Sequence, residues 1–190
     1  VRADKLSGYI KGSYKDENFF IRTNCEMLPD TIGHNVIVEI RGSEFPDEII
    51  TIGGHLDSWD PGEGASDDGT GIVQSIEILR AFKAIGYKPK RTIRIVLFAN
   101  EENGLRGGNK YAEEAKLKNE KHVMAMESDG GAEYPRGFGC GMTKTQYEKV
   151  QTWVKYFEPF DATRFTFNEG GGGGADIGPL EPMGTVLAGL

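Results

Sequence analysis

The chain has 190 residues and carries 22 basic against 29 acidic side chains, a formal charge of −7. That is enough chain for one domain with a full core, and the wrong sign for a nucleic-acid or anionic-membrane surface. No apolar run approaches the roughly 20 residues of a membrane span, and the 27 glycines, about twice the usual share, cluster near candidate site loops instead of spreading as in a disordered chain.

From the N-terminus, a short basic segment leads into residues 18–25, which read as a strand. Turn signals at Pro29-Asp30 and Gly33 separate it from 35–41, where apolar and polar residues alternate as in a half-buried strand. These two strands are expected to pair antiparallel at one edge of a sheet. Residues 48–54 follow as a core strand: Ile49, Ile50 and Ile52 are β-branched and apolar, and the segment closes on Gly53-Gly54.

A Gly/Pro/Ser/Asp-rich loop over 57–67 precedes a helix predicted for 69–85. Its apolar stripe is Ile72, Ile76, Leu79 and Phe82, with Gly86 suited to its end. Residues 91–99 read as a strand, 104–118 as a second helix and 122–126 as a third core strand. A third helix is predicted for 144–157, with Tyr147, Val150, Trp153, Val154 and Phe157 on one side, then a short strand over 164–167. The five glycines 170–174 suit a flexible linker, but an apolar segment resumes directly after them. Residues 185–190 look like the start of one more strand.

Strands alternating with helices predict an α/β fold: a single domain over 1–190, built as a three-layer α/β/α sandwich. The sheet is expected to be mostly parallel with an antiparallel edge and incomplete at its C-terminal end. The first residue is Val1, not methionine, which suggests that an upstream segment was removed. Cys25 and Cys140 follow no metal spacing; they can pair or stay free.

Three core strands end in imidazole or carboxylate groups. The first delivers His55 and Asp57, the second Glu101-Glu102, the third Glu127 and Asp129. Between the first two, Asp67-Asp68 stand at a helix start, where Asp is also a favoured cap. A histidine just past a strand's carboxyl end sits where open α/β sheets place their sites. Asp57 is placed to hold the second imidazole nitrogen, as carboxylates behind metal-bound histidines do. Carboxylates crowded together repel and raise one another's pKa, a cost that a divalent cation removes. His with Asp/Glu ligands and no Cys cluster suits zinc in a catalytic site. His34 and His122 precede strands and read as surface or satisfied polar residues.

His55-x-Asp57, Gly64-Ala65-Ser66-Asp67-Asp68-Gly69-Thr70-Gly71, Asn100-Glu101-Glu102-Asn103-Gly104 and Met126-Glu127-Ser128-Asp129 occur in order along the chain. Together they closely resemble the two-zinc aminopeptidase family, which includes bacterial leucyl aminopeptidases and plasma glutamate carboxypeptidase (carboxypeptidase Q). The segment Gly174-Ala175-Asp176-Ile177-Gly178-Pro179-Leu180 also looks like a family loop. The resemblance implies a zinc exopeptidase fold, a peptide substrate and a secreted or periplasmic location. It implies that His55 and Asp129 bind one zinc, that Glu102 binds the other and that Asp67 bridges both. Glu101 would be the general base, Asp57 would orient His55, and the Asp67–Asp68 peptide would be cis.

The family's second metal takes a further histidine from beyond the last strand seen here. Residues 1–190 are therefore expected to hold one strong zinc site and to show little activity. An aminopeptidase is the first reading. A dipeptidase or carboxypeptidase of the glutamate carboxypeptidase type, a one-metal glutaminyl cyclase, and an inactive binding module on the same fold are the alternatives.

Overall fold

A computed structural model describes residues 20, 22 and 24–190. The chain divides into two compact units, Val1–Ile32 and Gly33–Leu190. The described residues of the first form neither helix nor strand, and half of the strand expected over 18–25 lies outside the described residues.

The second unit is built on β1 (Val36–Ile40), β2 (Phe45–His55), α1 (Gly69–Ala84), β3 (Arg91–Phe98), α2 (Arg106–Leu117), β4 (Lys121–Glu127), β5 (Gly137–Gly141), α3 (Lys144–Gln151), β6 (Arg164–Asn168) and β7 (Val186–Gly189). The strands form one sheet in the order β1-β3-β2-β4-β7-β5-β6. β3, β2, β4 and β7 run parallel, while β1 is antiparallel to β3 and β5 to β7. The antiparallel edge is thus present, and among the described residues β1 makes it with β3. The crossover β2–α1–β3 moves one way along the sheet and β3–α2–β4 the other, so right-handed connections place α1 and α2 on opposite faces. This is the three-layer α/β/α arrangement. No helix among the described residues is long and apolar enough to cross a membrane.

The α2 face holds the dense core, where Val96, Phe98, Ala125 and Leu187 from the sheet meet Tyr111 and Ala115 of α2. Ile177 and Leu180, at the 3₁₀ turn Gly178–Met183, complete it. The α1 face is looser than the helical stripe predicts. Gly71 and Ser75 are the buried residues of α1, whereas Ile76 is 49% exposed. Ile76, Leu79 and Phe82 face Val36, Val38 and Ile95 across an apolar groove of about 750 Å³.

Three further boundaries differ from expectation. α2 starts at Arg106, after a turn in which Asn100 and Leu105 take positive φ angles of 62° and 56°. α3 stops at Gln151 and gives way to 3₁₀ turns at Val154–Tyr156 and Glu158–Phe160. The main-chain N–H groups of Thr152 and Trp153 turn to the carbonyls three residues back, Lys149 at 3.1 Å and Val150 at 2.8 Å, and Thr152 Oγ1 also donates to the Lys149 carbonyl. β5 was not expected. Three of its five residues are glycine, and two serve close packing: a Cβ on Gly137 would collide with the Arg164 carbonyl, and one on Gly141 would lie 2.7 Å from the Gly172 carbonyl. Cys140, inside β5, is buried and free, and Cys25 is also free.

Candidate metal centre

The parallel strands deliver their carboxyl ends to one edge. His55 lies beside Phe98 in the β2–β3 pairing, Gly53 beside Glu127 in β2–β4, and Glu127 beside Gly189 in β4–β7. Glycine is needed where β2 ends. A Cβ on Gly54 would collide with Asp68 Oδ2, and one on Gly53 with the Val96 carbonyl.

His55 is 1% exposed. Its Nδ1 lies 2.9 Å from the Asp57 carbonyl oxygen. A carbonyl only accepts, so Nδ1 carries the proton and the Nε2 lone pair of the neutral ring points the other way. It points at two carboxylates, with Asp67 Oδ1 at 3.0 Å and Asp129 Oδ1 at 3.2 Å. A lone pair facing two anions is stable only with a positive charge between them. Burial pulls the His55 pKa down, but the Asp57 carbonyl and the charges of Asp129, Asp68 and Glu101 outweigh it and raise the pKa to about 9. Asp129 is itself pushed above the ordinary carboxylate range, by burial first and by Asp67 next. One ligand atom each from His55, Asp67 and Asp129 lies within 4.8 Å of the others. An imidazole nitrogen and two carboxylate oxygens converging in this way fit a divalent metal such as zinc.

The neighbouring groups are fixed by identifiable contacts. The Asp67–Asp68 peptide is cis, as is Asp60–Pro61. Asp68 is buried; its Oδ2 accepts the main-chain N–H of His55 at 2.9 Å and its Oδ1 that of Gly71 at 3.0 Å. It therefore ties the end of β2 to the start of α1, and burial lifts its pKa to about 6 against the pull of those two donors. The Asp57 carboxylate differs from expectation. Its Oδ1 lies 3.8 Å from His55 Nδ1 and instead accepts the N–H of Glu101 at 2.9 Å, while Oδ2 accepts that of Glu102 at 3.2 Å. Asp57 thus holds His55 with its main chain and the glutamate pair with its side chain.

Glu102 stands outside the His55 trio, its Oε1 accepting the Trp59 N–H at 3.2 Å. Glu101 has a raised pKa, through burial first and then the charges of Asp129, Glu102 and Asp57, which act against that of His55. Asn35, which the sequence did not single out, braces the same turn. Its Oδ1 accepts from Ala99 N and its Nδ2 donates to the Gly107 carbonyl. Glu127 and Asp176 are also buried here. Strand alternation carries the signal for Glu127, which shares the core-facing side of β4 with Ala125. His122 is buried and satisfied, between Thr51 Oγ1 at 2.9 Å and Glu120 Oε2 at 3.1 Å.

The model of peptidase family M28 matches residues 35–188. Carboxypeptidase Q of Mus musculus is 38% identical over 157 residues, covering 83% of this chain and 33% of its own length. The chain thus spans about a third of the length of the curated relatives it matches. Among solved structures, a peptidase M28 precursor from Shewanella amazonensis SB2B superposes with a TM-score of 0.73 at 41% identity, over 82% of this chain and 35% of that one. A zinc aminopeptidase from Bacillus subtilis shares the fold, with a TM-score of 0.62 at 22% identity over 82% of this chain and 39% of that one.

Proposed function

The chain belongs to peptidase family M28, and from that premise we propose that the protein is a zinc-dependent exopeptidase that removes residues from a peptide terminus. The observation that carries this reading is the His55 Nε2 lone pair aimed between the Asp67 and Asp129 carboxylates. In this reading His55, Asp67 and Asp129 hold one zinc ion, and Glu102 with the shared Asp67 serves a second. Bound zinc supplies Lewis acidity, which acidifies a coordinated water and polarises a scissile carbonyl.

The remaining steps belong to the chain's own residues. Glu101 accepts the proton of the attacking water and returns it to the leaving amine, for which its raised pKa suits it. Asp57 fixes Glu101 and Glu102 through their main-chain N–H groups, so one glutamate can face substrate while the other faces the metal. We place the enzyme outside the cytosol, as the family resemblance favours.

An aminopeptidase is the first reading, and the match to carboxypeptidase Q favours a second, a dipeptidase or carboxypeptidase. Full-length protein incubated with peptides blocked at one end or the other separates them. Release only from a free amino terminus supports the aminopeptidase, and release only from a free carboxyl terminus the alternative. Cleavage of an unblocked dipeptide alone supports the dipeptidase, and no hydrolysis of any of the three substrates, with zinc bound, contradicts the peptidase reading.

A further inference from the structure

Two carboxylates outside the His55 trio are buried in an unusual way. Glu127, the last residue of β4, is 1% exposed and Asp176 is 0% exposed. Among the described residues, Glu127 Oε1 and both Asp176 oxygens have no hydrogen-bond partner. Burying such groups unpaired costs several kcal/mol, so their retention asks for a role.

The other Glu127 oxygen is fully used. Oε2 accepts the main-chain N–H of Asp176 at 3.0 Å and of Ile177 at 3.1 Å, at the start of the 3₁₀ turn Gly178–Met183. The five-glycine run is shaped to reach it. All five residues have positive φ, from 76° at Gly170 to 145° at Gly174. A Cβ on Gly174 would collide with the Glu127 carboxylate, and one on Gly173 would stand 2.8 Å from Ala188 N in β7. The run is therefore a fitted loop closed around Glu127.

On its other side the loop meets the catalytic edge. A Cβ on Gly108, in the first turn of α2, would lie 2.8 Å from Asp176 Oδ1. α2 follows directly from the turn that carries Glu101 and Glu102. The Asp176 pKa is pushed up to about 7, by burial first and then by the charge of Glu101, against the pull of His55.

We propose that Glu127 is a positioning residue: its carboxylate clasps the main chain at Asp176 and Ile177 and so sets the Asp176 side chain against the first turn of α2, next to the turn that carries Glu101. The effect on turnover rests on the peptidase reading; the clasp itself does not. A carboxylate held there fixes the field around the general base, and a displacement of about 1 Å at such a position can cost up to 100-fold.

The test combines amide hydrogen exchange, zinc content and steady-state kinetics on the full-length zinc-loaded protein. Glu127→Gln keeps an acceptor oxygen for both N–H groups; Glu127→Ala keeps none. E127A should lose amide protection at 176 and 177, keep its zinc, and lose about 10-fold to 100-fold in kcat with KM within about threefold. E127Q should keep the protection and recover most of that kcat. D176N should keep the protection and lower kcat as E127A does. Protection unaltered in E127A removes the clasp, and kcat unaltered in D176N removes its link to the site. If E127A does not fold, loss of protection in E127Q or normal kcat in D176N overturns the proposal. If the wild type hydrolyses no peptide, the exchange arm still decides the clasp, and only the peptidase reading fails.

Discussion

Asp68 accepts the main-chain N–H of His55 at 2.9 Å while the side chain of the same histidine faces Asp67 and Asp129. One buried carboxylate thus fixes where the β2 strand ends and therefore where Nε2 points. Gly54 leaves the space for it, since a Cβ there would collide with Asp68 Oδ2. Gly54→Ala should destabilise the fold by about 1–3 kcal/mol, the usual cost of forcing atoms into a packed site. Urea unfolding measures it, and an unchanged midpoint would show that Asp68 moves aside freely.

Glu101 and Glu102 are adjacent, yet in the proposed enzyme they carry different tasks. Glu101→Gln should leave zinc content nearly intact and cut turnover by about 100-fold or more. Parallel loss of metal and activity would mean that the pair is assigned in the wrong order.

Asp57 binds both glutamates through their main chain. Asp57→Asn removes one of its two acceptor oxygens. Turnover should fall by about 10-fold to 100-fold, the usual effect of losing such a support, while His55 keeps its contact with the carbonyl of residue 57. Kinetics on the full-length variant, read beside its zinc content, check this.

His122 gives a pH dependence far from the metal centre. It is held by Thr51 and Glu120, with Arg94 bound to the same Glu120 and to Tyr111. Burial lowers its pKa, helped by Arg94 and opposed by Glu120. The folded state therefore binds this proton less readily than the unfolded chain does, so the histidine's contribution is present above about pH 6.5 and is lost as pH falls. The stability advantage of wild type over His122→Asn, measured by urea unfolding, should be largest near pH 7 and shrink toward pH 5. An advantage that grows on acidification would mean that the folded state binds this proton more tightly than the unfolded chain does.

Much of this was legible in the sequence because the signals were redundant. Ile49, Ile50 and Ile52 run into Gly53-Gly54-His55, and that combination specifies both a buried strand and its functional end. Asp68 announced itself as a cap, and Gly86, at φ 64°, ends α1 as its type suggests. What escaped lacked side-chain signals or depended on distant packing. β5 is mostly glycine and is held in place by its neighbours β6 and β7. The stripe of α1 predicts burial but cannot say how closely the helix approaches the sheet. The Asp57 carboxylate was expected on the imidazole. Residue type and spacing fit either partner, and only the folded turn at 100–105 brings two main-chain donors nearer.

The central claim is that His55, Asp67 and Asp129 together bind a divalent cation, and zinc titration by calorimetry at neutral pH tests it most directly. The account predicts tight zinc binding to the wild-type chain, lost in His55→Ala and strongly weakened in Asp129→Asn, with circular dichroism showing both variants folded. Undiminished binding in folded His55→Ala would contradict it.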